Sequence, residues 1–355
     1  MSVQVVSKEE ITKLLQDWYQ EMRVQHVFKA GQLKKDIDSK IDKMEESQDI
    51  LMYYSLLDFR YKMLTGNFEQ GLISLGNLDK MDAVLKYYYH FFTFIYATEV
   101  GNYSDAKKHY ELAEKLLIAV PDEAEKAEFN YRVSLFHYYL SQPLLAIHYA
   151  TKAQEFFSKN KGYEVKTGAC KNTLGMSCIT LGQFELAEEY LISALDTFTK
   201  ADEHASILKV RHNLGLLYAD QDLSELAIRY LSEVFREDHH IKTNYLLARE
   251  HFRLSHYEEV RDYIEKGLKS CDKEYYYHFS ILKALNEKWP VESLDLMISD
   301  AISYFKSQEL WKDVQSYAEE LAVKWYDVGN EGKASRYFHM SYEAKKILKK
   351  RGSLK

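Results

Sequence analysis

Four stretches decide the fold: GNYSDAKKHYELAEKL (101–116), SQPLLAIHYATKAQ (141–154), GQFELAEEYLISAL (182–195) and DLSELAIRYLSEV (222–234). Each carries an alanine at the same place after a short turn-forming lead: Ala106, Ala146, Ala187 and Ala227, separated by 40, 41 and 40 residues. Seven residues further on a small side chain recurs at Ala113, Ala153 and Ala194, and Val234 takes that place in the fourth stretch. Positions i and i+7 lie on one face of a helix, two turns apart, so small side chains there let a second helix approach closely.

A fixed period in this range is the mark of a stacked-repeat architecture. The pattern is that of tetratricopeptide repeats, with units longer than the usual 34 residues or so. The expected class is all-α: a right-handed α-solenoid whose function lies on a concave surface rather than in one deep catalytic pocket.

Composition agrees with helices. Among 355 residues there are only 3 prolines and 14 glycines, so few positions break a helix. The 29 tyrosines suit the gaps between stacked helices, which large amphipathic rings fill. A net charge of −7 argues against direct nucleic-acid binding. Cys170, Cys178 and Cys271 are too few and too scattered for a disulfide framework or a zinc site, which points to a reducing compartment. The opening MSVQVVSKEE lacks the apolar run of a signal peptide, and no stretch is apolar enough to span a membrane. A soluble, cytoplasmic protein without a membrane partner is expected.

A bundle, a connector and a repeat domain are expected along the chain. Residues 1–64 read as a three-helix bundle. Ser7 and Glu10 form a capping box before the stripe Ile11, Leu14, Leu15, Trp18, Tyr19, Met22. A second stripe runs Leu33, Ile37, Ile41, Met44. A third helix follows Ser47, holds Ile50, Leu51, Tyr54, Leu57 and Phe59 largely inside, and ends near Gly66. Residues 65–80, with Gly66, Gly71 and Gly76, form a broken connector that is either a plain loop or a hinge. Residues 81–355 form the repeat domain, read as about seven helix pairs. Pro143 and Pro290 stand where helices begin, Tyr257 with Val260 and Gly329 with Ala334 mark later units, and the basic EAKKILKKRG closes the stack.

Self-contained catalytic chemistry is not visible. His239 and His240 are adjacent and point different ways on a helix, and His251 and His256 stand five apart, so no metal ligand set is expected. There is no phosphate loop and no nucleophile elbow. The repeats do offer polar groups at groove-lining spacing: Asn172, Met176 and Thr180 in the third, and Asn213, Leu216 and Asp220 in the fourth. An asparagine amide both donates and accepts, so it can hold the backbone of an extended peptide without reading its side chains. Asn213 could equally bond a neighbouring helix.

Beyond these patterns, DKMEESQDILMYYSLLDFRYKML (42–64) resembles a stretch of the Rap family of Gram-positive sporulating bacteria. These are response-regulator aspartate phosphatases and their relatives, controlled by secreted Phr pentapeptides. The likeness continues in LKYYYHFF (85–92), EKAEFNYRVSLFHYYLSQ (125–142), RHNLGLLY (211–218) and KASRYFHMSYEAKKILKK (333–350), and Trp18-Tyr19 fits the family's first helix. The resemblance implies that the bundle docks on a phosphorylated response regulator and that Gln48 positions water for hydrolysis of the aspartyl phosphate. An amide can orient such a water, as glutamine does in GTPases. The magnesium would belong to the receiver, so the chain needs no cofactor of its own. Sequence alone allows a plainer reading, in which Gln48 simply starts the third helix.

Asn213 falls on the family's peptide-anchoring asparagine. The chain departs from the family at Thr180, which aligns where a peptide-contacting aspartate is common. It departs again between Arg60 and Tyr87, where the connector is shorter by several helical turns. The expected function is a quorum-sensing regulator with phosphatase activity, inhibited by an imported Phr-like pentapeptide in the repeat groove. The alternatives are a non-catalytic antagonist that covers a regulator's DNA-binding domain, and a generic repeat scaffold.

Overall fold

In the computed structural model, residues 6–67 and 81–352 are described. They form seventeen α-helices, and no strand occurs among the described residues beyond an isolated bridge between Val6 and Met44. The first three helices are α1 (Lys8–Arg23), α2 (Val27–Lys40) and α3 (Gln48–Leu64). Fourteen more follow as seven consecutive pairs. The first four pairs are α4 (Ala83–Glu99) with α5 (Tyr103–Leu116), α6 (Glu123–Tyr139) with α7 (Pro143–Phe157), α8 (Glu164–Thr180) with α9 (Phe184–Lys200), and α10 (His204–Ala219) with α11 (Ser224–Glu237). The last three are α12 (Ile241–Arg253) with α13 (Tyr257–Leu268), α14 (Lys273–Asn286) with α15 (Val291–Ser307), and α16 (Trp311–Asp327) with α17 (Glu331–Gly352). The pair count and the helix starts at Pro143 and beside Pro290 match the sequence reading.

The recurrent alanines fall on the second helix of each pair. Ala106, Ala146, Ala187 and Ala227 are fully buried, as are Ala113, Ala153 and Ala194, and Val234 is nearly so. A complementary device occupies the first helix. A Cβ on Gly175 of α8 would lie 2.7 Å from Leu191 Cγ of α9, and one on Gly215 of α10 would lie 2.5 Å from Leu231 Cγ of α11. The two contacts repeat at the same spacing as the alanines. A leucine of the second helix thus seats against bare backbone of the first, and only glycine leaves room for it.

The turn inside each pair also repeats. It pivots on one residue of positive φ: Gly101, Ser141, Gly182, Asp222, Ser255, Lys288 and Gly329. The left-handed conformation ends a helix within a residue or two and lets the chain reverse. Four of the seven positions are not glycine, which is why a glycine-based search of the sequence marks only some of the turns.

The chain divides into two compact units. One comprises Met1–Leu140 and Leu145–Leu174, the other Ser141–Leu144 and Gly175–Lys355. In the first unit, α1 starts at Ser7, whose Oγ accepts the Glu10 N–H at 3.2 Å. The capping box is only half made, because the Glu10 carboxylate pairs with Lys40 at 3.1 Å. Ile11, Leu15, Trp18, Tyr19 and Met22 form the buried stripe, and α2 adds Ala30 and Ile37.

Those three helices do not close a core of their own. The apolar cluster runs on without a break through Leu56, Leu57 and Phe59 of α3, Tyr87, Phe91, Phe92 and Phe94 of α4, and Phe129, Val133 and Phe136 of α6. The packing unit therefore reaches well past residue 64, where the sequence placed a domain end. The reason is size: three short helices bury too little surface, and the ring-rich α4 supplies what is missing. One stripe position is corrected as well. Leu51, expected inside, is 40% exposed, whereas Leu57 is fully buried. Gly66 ends α3 with φ +76°. Gly71 and Gly76 of the expected connector, and half of the shortened stretch between Arg60 and Tyr87, lie outside the described residues.

The second unit holds the end of α8 and helices α9–α17. Its cores are local. One groups Ala248, Val260, Ile264, Phe279 and Leu282 of α12–α14, and another runs from Ile281 of α14 to Ala344 of α17. The first helices of neighbouring pairs touch directly, α10 on α12 and α12 on α14.

Candidate functional site

Gln48 is the first residue of α3, directly after the N-cap Ser47. Its side chain is exposed. Ser47 has extended backbone, but its hydroxyl makes no capping bond, so the first amides of α3 keep their free N–H groups and the positive end of the helix dipole. An exposed amide at such a terminus can enter the site of another protein while the helix end favours negative charge near it.

What holds α3 in place is a buried polar network on α6, within EKAEFNYRVSLFHYYLSQ. Glu125 and Glu128 are both buried. Glu125 accepts the Tyr19 hydroxyl at 2.8 Å and the Tyr87 hydroxyl at 2.9 Å, and its other neighbour is Arg23 Nη1 at 3.3 Å. Burial dominates and pushes its pKa up to about 7, against the pull of Arg23 and the two hydroxyls. Glu128 sits one turn on and differs. Three cations surround it: Lys166 at 2.7 Å, Arg132 at 2.9 Å and Arg60 of α3 at 3.8 Å. Burial raises its pKa, but Lys166, Arg132 and Arg60 outweigh that and hold it at about 2. Arg60 and Tyr19 thus connect α3 and α1 to adjacent turns of α6. The sequence reading missed this network, because its members on different helices, separated by 38 to 106 positions, meet only in the fold. The one available signal was a pair of glutamates three apart on a helix rich in aromatic residues.

The candidate peptide contacts fall on α8 and α10. Asn172 and Met176 are half-buried and Thr180 is exposed, spaced four apart along α8. The Thr180 hydroxyl bonds back to the Met176 carbonyl at 3.1 Å. On α10, Asn213 is 6% exposed, with Leu216 and Asp220 half-buried on the following turns. Neither Asn172 nor Asn213 is an idle group, since each has an interaction within the chain. Asp220 faces Lys312 of α16 at 3.5 Å.

A polar cluster not read from the sequence lies on the first helices of the next three pairs. The Tyr245 and Tyr317 hydroxyls stand 3.2 Å apart, and Tyr317 meets His278 Nδ1 at 2.6 Å. His278 Nε2 lies 3.8 Å from Asp313. Burial pushes Asp313 up to about 6 and holds His278 down at about 4. The period shortens after Ala227, so these positions escaped notice, although Tyr245 and His278 each stand ten residues before the turn residue of their pair, as Asn172 does before Gly182. His251 and His256 do meet, Nδ1 to Nδ1 at 3.2 Å. Among the described residues no group of three or more His, Cys, Asp or Glu could hold a metal ion.

Comparison with known proteins agrees with these features. Residues 5–66 match the family described as response regulator aspartate phosphatase H, N terminal, and residues 167–236 match the tetratricopeptide repeat. Regulatory protein RapG of Bacillus subtilis (strain 168) is 30% identical over 269 residues, 73% of this chain and 74% of that protein. The chain belongs to the Rap family. Response regulator aspartate phosphatase I of the same organism is 28% identical over 361 residues, 96% of this chain and 92% of its own length. The crystal structure of apo RapI superposes with a TM-score of 0.69 at 28% identity, over 97% of this chain and 99% of that one. A Rap protein complexed with competence and sporulation factor shares the fold, with a TM-score of 0.80 at 23% identity over 97% of this chain and 99% of that one. No described helix of this Rap protein is long and apolar enough to cross a membrane.

Proposed function

We propose that this Rap protein is a peptide-controlled response regulator aspartate phosphatase. The carrying observation is the match, over nearly the whole length of both chains, to a response regulator aspartate phosphatase, with an exposed glutamine at the start of α3. The chain supplies no nucleophile of its own. The Gln48 amide enters the receiver and orients a water in line with the phosphoryl group. Water forms the new P–O bond, the bond to the aspartyl oxygen breaks, and inorganic phosphate leaves while the carboxylate is regenerated. The receiver contributes the magnesium. Residues 1–64 form the receiver-binding part, 65–80 the connector and 81–355 the peptide-binding repeats, acting in the cytoplasm.

A Phr-like pentapeptide supplied by import is held through its backbone by Asn213 and Asn172, with Met176, Thr180 and Asp220 beside it. Both asparagines already have interactions within the chain, so the peptide meets whatever amide capacity these leave. Thr180 carries no charge, so reading of a charged peptide residue falls to Asp220. Control requires that the peptide bind the regulator-free state more tightly than the regulator-bound one.

The test is a dephosphorylation time course with a panel of phosphorylated receivers. Wild type should accelerate loss of phosphate from at least one receiver, and Gln48→Ala should bring the rate back to the spontaneous one with binding retained. Equal rates for the two proteins on every receiver that binds would end the catalytic reading. Asn213→Ala should weaken pentapeptide binding by calorimetry, and unchanged affinity would remove that assignment.

A further inference from the structure

A cavity of about 480 Å³ opens in the first unit, between α1 and the starts of α3, α4 and α6. That volume falls within the range of small-molecule sites. Three tyrosine rings form its walls: Tyr19 packs on Tyr88 at 5.4 Å between centroids, and Tyr53 packs on Tyr88 at 5.5 Å. Three carboxylates also line it, Asp49, Asp82 and Asp122.

The charge of the cavity is decided by what is already paired. Asp122 caps α6 by accepting the Ala124 N–H at 2.9 Å and binds Arg23 Nη1 at 2.5 Å. Arg23, the one cation of the lining, is committed further: Nη1 also reaches Glu125 and Nη2 bonds Gln20 at 2.5 Å. Asp82 accepts the Leu85 N–H at 2.7 Å through one oxygen. Asp49 and Asp82 have no cation partner among the described residues. Against the aromatic side chains the cavity therefore carries two carboxylates with no cation partner among the described residues. The starts of α3 and α4 bring about half a positive charge each, less than the full charges of Asp49 and Asp82, so an anion inside the cavity would be repelled, and a neutral apolar guest would leave the carboxylates nothing to bind. Arg23 already lies over the Tyr19 ring at 5.1 Å, and the two carboxylates together with the Tyr53 and Tyr88 rings favour a further positive charge.

We propose that this cavity binds an organic cation, an ammonium or guanidinium group on an aliphatic stem. The source is a free amine or a basic side chain presented by a docked protein. Asp49 directly follows Gln48, so such a guest would sit beside the first turn of α3. The proposal does not depend on the phosphatase reading, because its test measures binding to the isolated full chain.

The probe is n-butylguanidinium, with n-butylurea as its uncharged isostere, titrated calorimetrically at low salt. Saturable binding of the guanidinium, at least about tenfold tighter than the urea, is expected, since charge carries the recognition. Tyr53→Leu and, separately, Asp49→Asn should each weaken it roughly three- to tenfold, with melting curves showing that both variants fold. Should Asp49→Asn disturb the helix start, Asp82→Asn gives the same reading from another wall. A second arm titrates an acetylated, amidated Gly-Gly-Arg-Gly-Gly. Binding of this peptide assigns the source to a protein side chain, and binding of butylguanidinium alone assigns it to a free amine. No heat from either probe up to about 10 mM, or equal affinity for the urea, would overturn the proposal.

Discussion

The two units reach stability by different means. The first fills its interior with large rings and a buried set of charges joining α1, α3, α6 and α8. Buried alanines recur in both, but the second adds a steric contact repeated in register, glycine on one helix of a pair against leucine on the other. The comparison teaches where each is vulnerable. A buried ionic network fails when one partner is removed, because the remaining charges have no water to turn to. A repeated steric contact fails locally, at one pair, and the neighbours feel it only through their shared interface.

The largest effect is expected at Glu128. Replacing it with Ala leaves Lys166, Arg132 and Arg60 facing one another in the interior, and should cost about 3–5 kcal/mol of stability, read as a drop in the denaturant midpoint. If Glu128→Ala loses less than about 1 kcal/mol, the network does not hold the first unit together.

Next is the steric contact of the second unit. Gly215→Ala gains helix propensity but drives a methyl into Leu231. A net loss of roughly 1–2 kcal/mol is expected. In a Leu231→Ala background the same change should become neutral or stabilising, and a double-mutant cycle measures the difference. Additive effects would show that the two residues do not compete for space.

The two glutamates of α6 sharpen the comparison through pH. The pKa of Glu125 is raised in the folded state to about 7, so it contributes stability below the unfolded carboxylate value and loses it as pH rises through 7. The pKa of Glu128 is depressed to about 2, so its contribution is present above the unfolded value and lost as pH falls toward 2. Glu125→Gln should flatten the decline in stability between about pH 4.5 and 7 while leaving the acid limb intact. A curve whose shape is unchanged would place the decline elsewhere.

The smallest effect is a gain. Lys288 adopts φ +53° in the turn between α14 and α15. Lys288→Gly should raise stability by about 0.5–1 kcal/mol, less the entropy glycine restores to the unfolded chain. The melting temperature of the variant checks it, and a decrease would mean that the lysine stem contributes through its contact with the Tyr257 ring.

Much of the architecture was legible before any coordinates. Ala106, Ala146, Ala187 and Ala227 mark four of the seven helix pairs, because close helix packing favours small residues there, and Val260 and Ala334 mark two of the later ones. Gln48 was legible only through family likeness, as nothing in its local sequence distinguishes a catalytic amide from a helix start. Leu51 was misread because a stripe drawn on one helix cannot say which of its edges meets a partner. Gly175 and Gly215 were passed over because the leucines they admit lie on another helix.

The sequence by itself determined the all-helical class and the repeat period, which follow from spacing and composition along the chain, and the family, which follows from likeness to known sequences. Tertiary structure alone decided that α1–α3 share a core with α4 and α6, that two glutamates one turn apart have opposite pKa shifts, and that Asp49 and Asp82 meet three tyrosines around a cavity. Each depends on which distant groups a side chain meets and how much water is excluded there, and neither quantity is written in local spacing.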